Sequence, residues 1–292
     1  MGSAVKPAVQ PNCPYCNDKS VKAGQFVRHL DARRIQKYRC KGCRKYFSNS
    51  HGSLFYRHKK RRLHWKIRDL MVAGVSERRM AKILGISRTT VVRKIRLLDQ
   101  IVSKDNFVDL AQGPMVSKFQ FDDLETIEHT KLKPLSVTMA VEKTSRRILG
   151  FEVSQMPAKG LLAKRSIKKY GYRKDMRARG RELLFEAIKE KVLPTATIES
   201  DESPHYPKSV KRWFPKATHL TTPGRRGCVV GQGELKAGGF DPLFSLNHTF
   251  AMLRANINRL FRRTWCTTKL PSRLAAHIRI YLHYHNRQLI SA

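Results

Sequence analysis

The sequence predicts an α/β domain with two small modules in front of it, and three observations carry that prediction. Two C-x-x-C pairs stand near the amino end, Cys13-Pro14-Tyr15-Cys16 and Cys40-Lys41-Gly42-Cys43. A run of short helical periods broken by glycine follows, from Trp65 to Arg96. From about Gly113 the texture changes to alternating, strand-like runs interleaved with helical ones. These shifts divide the chain into residues 1–56, 57–112 and 113–292.

The cysteines set the first module. Two such pairs about two dozen residues apart read as one tetrahedral zinc site, with Cys13, Cys16, Cys40 and Cys43 as thiolate ligands. A metal staple lets a short segment hold a shape without a large apolar core. The surrounding residues are densely basic, so the module suits a polyanion. Two other readings stand beside this one: a structural staple that never touches nucleic acid, and four unrelated free thiols.

Composition narrows the partner. Lysine and arginine total 59 against 22 acidic residues, a net charge of +37 over 292 residues. That surplus exceeds what solubility needs and favours DNA or RNA over a neutral ligand. An anionic membrane is the competing partner, but no run of 18 apolar residues exists to span one. The amino end also lacks the apolar stretch of a signal peptide. Cys228 and Cys266 stand alone and suggest no disulfide framework, so a reducing, intracellular compartment is expected.

In the second module, Arg57-His58-Lys59-Lys60-Arg61-Arg62 forms a basic joint suited to backbone phosphates. Trp65, Ile67, Leu70 and Met71 then recur at helical spacing up to Gly74. Ser76 caps a second helix through Met80 and Ile83, and Ser87 caps a third bearing Val91, Val92 and Ile95. Ala81, Gly85 and Val91 supply the small residue, the turn glycine and the β-branched anchor of a helix-turn-helix. On the third helix Arg88, Thr89 and Thr90 are placed to reach base edges, and Arg93, Lys94 and Arg96 to meet phosphates. A generic three-helix bundle with a solvated basic face fits the same pattern.

The larger domain opens with strands at 116–122, 136–141 and 148–153, the last two joined by a hairpin turn over 142–147. A basic stretch from Lys159 to Arg181 leads into a helix over Glu182–Val192 and a strand over Thr195–Glu199. A helix near Tyr206–Trp213 and an edge strand at Ala217–Leu220 follow. Beyond a glycine-rich loop, Gly224 to Gly239, a long helix is expected from Phe244 to Arg263 and a last one from Ser272 to Tyr284. An α/β sheet layered with helices results.

The first strand runs into Asp122-Asp123 and the fourth delivers Asp201. Clustered carboxylates cost free energy unless a cation balances them, so the pair is a candidate site for Mg2+ or Mn2+. Two such ions can activate a hydroxyl and stabilise the departing oxygen of a phosphodiester. Solvated turn carboxylates are the plainer reading.

Taken together, the chain resembles the DDE-type transposases of short bacterial insertion sequences. The likeness rests on CPYC…YRCKGC, FQFDDL, ESDESPHY around Asp201, and LNHTFAMLRANINRLFRRTWCTTK with the following IRIYLHYHN. The resemblance implies a zinc ribbon, a helix-turn-helix and an RNase H-like mixed sheet with flanking helices. It also implies metal-dependent cleavage of double-stranded DNA at terminal inverted repeats and joining of the 3′ ends to target DNA. A homodimer or higher assembly, in the bacterial cytoplasm at the nucleoid, goes with that process.

Asp122 and Asp201 carry over as two catalytic metal ligands. The third position, aligned on Leu253-Arg254 and the RRT-C-TK run, falls on Asn247 where an acid is expected. An asparagine carbonyl can ligate a hard cation but brings no charge. Either the site works as Asp-Asp-Asn, or the chain is an inactive relative that binds DNA without cutting. Asp123, Glu202, Glu234 and Asp241 are the acidic neighbours able to compensate, and Asn247 could equally be a helix cap. Arg254, Arg259 and Arg262, with Arg263 and Lys269, would line one helix flank as a phosphate rail. His248 faces either phosphate or solvent, and Trp213 and Trp265 read as packing residues.

Overall fold

A charged segment before residue 64 folds as a three-stranded antiparallel sheet, with β1 Ser20–Arg28, β2 Arg33–Cys40 and β3 Tyr46–Ser48 in that order. The computed structural model describes residues 10–29, 32–51, 54, 56, 58–223, 241–261 and 267–290. The chain divides into two units, residues 1–64 and 65–292. Among the described residues of the first unit, Cys13, Tyr38, Cys40 and Phe47 form a small apolar cluster, with the two rings stacked at 5.6 Å. So small a core leaves most of β1 exposed, and the strands carry no apolar alternation that a sequence reading could pick up.

The second unit opens with three helices, α1 Leu63–Val72, α2 Glu77–Ile83 and α3 Arg88–Gln112. The boundary between units falls after the second residue of α1, between His64 and Trp65. Ser76 Oγ accepts from the Arg79 N–H at 3.4 Å and Ser87 Oγ from the Thr90 N–H at 3.2 Å, so both expected caps are in place. Gly85 turns the chain between α2 and α3 at φ +59°, a conformation open to glycine at little cost. Val91 is fully buried.

A five-stranded mixed sheet follows. Its strands are β4 Val116–Ile127, β5 Pro134–Glu142, β6 Ile148–Gln155, β7 Val192–Asp201 and β8 Thr218–Thr222, ordered β6-β5-β4-β7-β8. Hairpins make β4, β5 and β6 antiparallel, whereas β7 and β8 pair in parallel with their neighbours. Parallel pairing needs crossovers, supplied by α4 Leu162–Tyr170 and α5 Arg177–Ile188 before β7 and by α6 Tyr206–Trp213 before β8. The last two helices are α7 Phe244–Asn256 and α8 Pro271–Tyr284.

Strand alternation sorts the side chains into two cores. Phe119, Phe121 and Ile198 pack with Leu184, Phe185 and Val210 from α5 and α6. Leu124, Val137 and Met139 pack with Leu246, Phe250 and Leu253 of α7 and with Ile278 and Tyr281 of α8.

Several expected bounds shift. The helix expected to reach Arg263 ends at Asn256, where Ile257 becomes extended at φ −99° and ψ 107°. A single 3-10 turn, Asn258–Leu260, follows, and Arg263 lies outside the described residues. The basic stretch 159–181 holds α4 and the start of α5, so α5 begins five residues before the expected Glu182. The glycine-rich segment 224–239, with Cys228 and Glu234, lies outside the described residues, as do Trp265 and Cys266. No described helix is long and apolar enough to cross a membrane.

Candidate functional site

In the first unit, one cysteine pair precedes β1 and the other joins β2 to β3. The two turns repeat one backbone design. The Cys13 N–H donates to Asp18 O at 2.8 Å, and the Cys40 N–H donates to Lys45 O at 3.0 Å. In each, the residue after the second cysteine is left-handed, Asn17 at φ +61° and Arg44 at +56°. A side chain on Gly42 would displace the Asp18 carboxylate packed over this turn.

The four sulfurs lie within 4.8 Å of one another, with Cys13–Cys43 at 3.6 Å and Cys16–Cys40 at 3.4 Å. Thiolates about 2.3 Å from a tetrahedral zinc ion lie about 3.8 Å apart, so the cluster fits a structural Zn2+. Burial pushes the Cys40 thiol up to about 12. A backbone hydrogen bond from Asp18, with help from Cys40, lowers Cys16 to about 7. A cation is what allows four such groups to be thiolates at once.

The second constellation is acidic. β4 and β7 run parallel, with Gln120 opposite Glu199. Two residues further along each strand, on the same face, stand Asp122 and Asp201. Asp123 points to the other face, where the Thr138 hydroxyl donates to it. Asp122 Oδ1 accepts from the Tyr206 hydroxyl at 3.0 Å and from the Asp123 N–H at 2.6 Å. Asp201 Oδ1 accepts from the Ser203 N–H at 3.0 Å, a turn that fixes the strand exit.

Burial pushes Asp122 up to about 6, the charges of Asp201 and Asp123 add to the rise, and its two hydrogen bonds offset part of it. Burial and the same three aspartates push the Tyr206 hydroxyl upward, so it stays a proton donor. Among the described residues no lysine or arginine is ion-paired with Asp122 or Asp201. Two such aspartates, with no ion-paired lysine or arginine among the described residues, could hold a divalent ion through hard oxygen ligands.

A buried polar clamp docks α7 beside them. The fully buried Gln120 amide donates to Glu199 Oε2 at 2.7 Å and to Pro242 O at 2.7 Å, and its carbonyl accepts from the Leu246 N–H at 3.0 Å. Lys143 Nζ meets Glu199 Oε1 at 2.5 Å, and Ser245 Oγ donates to Lys143 O at 2.6 Å. Asn247 is exposed on that helix, and its amide donates to Asp241 Oδ2 at 2.9 Å instead of bonding to either aspartate. Gln120, Glu199, Lys143 and Tyr206 were not singled out from sequence. The available signal was a glutamine between two phenylalanines in FQFD, a polar group on a buried strand.

The expected nucleic-acid contacts divide. Thr89, Arg93 and Arg96 are exposed at i, i+4 and i+7, along one face of α3. Arg88 is largely exposed and pairs with Glu77 at 3.3 Å. Thr90 is half-buried, its hydroxyl 2.9 Å from Ser87 Oγ. Lys94 is a correction: it is 3% exposed because it falls on the buried stripe with Val91, Leu98 and Val102. Arg259 is another, since it turns inward to Glu77 at 2.6 Å and His277 at 3.2 Å. Arg254 is half-buried on α7, and Arg262 lies outside the described residues.

No family model matches the chain, and no curated protein matches it.

Proposed function

We propose that this protein is a divalent-metal-dependent DNA transposase of the DDE type, with an RNase H-like catalytic domain. The observation that carries the reading is the pairing of Asp122 and Asp201, half-buried on neighbouring parallel strands, with no ion-paired lysine or arginine among the described residues. The zinc-fitting ribbon, the α2–α3 turn and the basic surplus support a DNA substrate. The strand pattern of the mixed sheet accords with an RNase H-like domain.

Asp122, Asp201 and the Asn247 carbonyl would hold Mg2+ or Mn2+, which would supply charge for activating an oxygen nucleophile and for the departing oxygen. Asp122, in the middle of β4, and Asp201, at the end of β7, would fix the position of that charge. Tyr206, donating to Asp122, keeps one carboxylate oxygen turned inward, and the Gln120 clamp fixes where α7 starts. The exposed face of α3, Thr89, Arg93 and Arg96 with Arg88 at its start, reads the element's terminal inverted repeats, and two bound ends call for at least a dimer. The setting is the bacterial nucleoid.

A second reading is an inactive, transposase-derived DNA-binding or regulatory protein. It is favoured by Asn247, a neutral residue bonded to Asp241. Incubating the protein with its flanking inverted repeats and Mg2+ or Mn2+ separates the two. The enzyme reading expects nicked or joined products that vanish in Asp201→Ala, with end binding retained. Specific binding without products in either metal would establish the second reading.

A further inference from the structure

The hairpin between β5 and β6 carries a feature that its backbone does not favour. Arg146 sits at φ +60°, in the left-handed region where glycine or asparagine is at ease. A side chain there costs about 1 kcal/mol. Main-chain bonds hold the residue in place: its N–H donates to Glu142 O at 3.0 Å, and its carbonyl accepts from His285 Nε2 at 2.9 Å.

The side chain is directed at α7. Its Nη1 lies 3.3 Å from His248 Nδ1. A guanidinium only donates, so Nδ1 accepts and the His248 proton resides on Nε2. Both residues are half-buried, and among the described residues no carboxylate pairs with Arg146. The pair therefore presents the remaining guanidinium N–H groups and an imidazole Nε2–H. Donors of this kind match the oxygens of a phosphodiester. The hairpin is also fixed relative to the acid pair, through Ser245 on Lys143 O and Lys143 on Glu199, two residues before Asp201.

We propose that Arg146 and His248 form a phosphate-binding site for a DNA strand lying across the carboxylate cleft, touching a phosphate that flanks the one held at Asp122 and Asp201. Strain at Arg146 is tolerated because the guanidinium is delivered where α7 and the sheet meet. This inference rests on the reading of DNA as substrate.

Arg146→Gly tests it, since glycine relieves the backbone while deleting the guanidinium. Affinity for a fluorescein-labelled random duplex is measured across a salt series, alongside the melting temperature. The expected result is a melting temperature equal to or above the parent's, affinity lower by about tenfold, and a salt slope smaller by about one. Arg146→Lys, which keeps the charge, recovers most of the slope. An unchanged slope and affinity in Arg146→Gly would overturn the phosphate site, and a large drop in its melting temperature would overturn the strain argument. A parent protein with no salt-dependent DNA binding would instead sink the functional reading on which the site rests.

Discussion

Asp122 shows how one side chain can report the purpose of a site. Its carboxyl titrates near 6, against an ordinary value of 3.8. The folded protein thus takes up this proton at higher pH than the unfolded chain does. The contribution favours folding while Asp122 is protonated and is lost as pH rises from about 4 to about 6, by about 3 kcal/mol. A divalent ion bound to the folded state would restore it. We predict that Mg2+ raises the melting temperature more at pH 7.5 than at pH 5. We also predict that Asp122→Asn is more stable than the parent at pH 7.5 without metal and gains less from Mg2+. Equal Mg2+ responses in both proteins at both pH values would argue against a cation at Asp122. The aspartates were legible in the sequence because each follows a strand-like run, although β4 continues past Asp122 to Ile127. Tyr206 and the Gln120 clamp were not, because their partners lie 84, 79 and 126 residues away. Lys94 was misplaced for a related reason: charge pattern alone does not say which stripe of α3 is covered.

At the scale of elements, the helical segment belongs to the same unit as the sheet because α3 is zipped to α8. Asp99 meets Arg279 at 2.6 Å, Asp105 meets His283 at 3.3 Å, and Asp109 meets Arg287 at 2.6 Å. The acids recur along one side of α3, yet nothing in the sequence names their partners some 180 residues later. Caps were easier to read: Ser76, Gly85 and Ser87 act locally, and the helices start where those residues place them. The end of α7 was missed because Asn258 leaves the helix to donate to Gly74 O at 3.1 Å, a tertiary contact. The ribbon is the reverse case, with its cysteines plain and its strands hidden for want of a core. We expect one zinc per chain, released by strong chelators and lost in Cys40→Ala, with collapse of the β1–β2 amide protection. Thiolates must form to bind it, so retention falls as pH falls. A metal-free protein whose β1–β2 amides stay protected would argue for a purely packed ribbon.

For the molecule as a whole, the acidic residues are largely used inward. Glu77 holds Arg88 and Arg259, Glu128 holds Lys133 and Arg173, Glu199 holds Lys143, and Asp99 and Asp109 of α3 hold Arg279 of α8 and Arg287 just beyond it. Those pairings leave the net +37 to surfaces such as the exposed face of α3, and among the described residues Asp122 and Asp201 have no lysine or arginine ion-paired with them. On the proposed function, that surplus would meet DNA over a wide area, and a divalent ion at the acid pair would mark the point of cleavage. The most direct test is anomalous diffraction from crystals grown with Mn2+. The account predicts a peak within bonding distance of Asp122 and Asp201 that is absent in Asp122→Asn. A lysine or arginine nitrogen lying between the two carboxylates, with no manganese there, would contradict it.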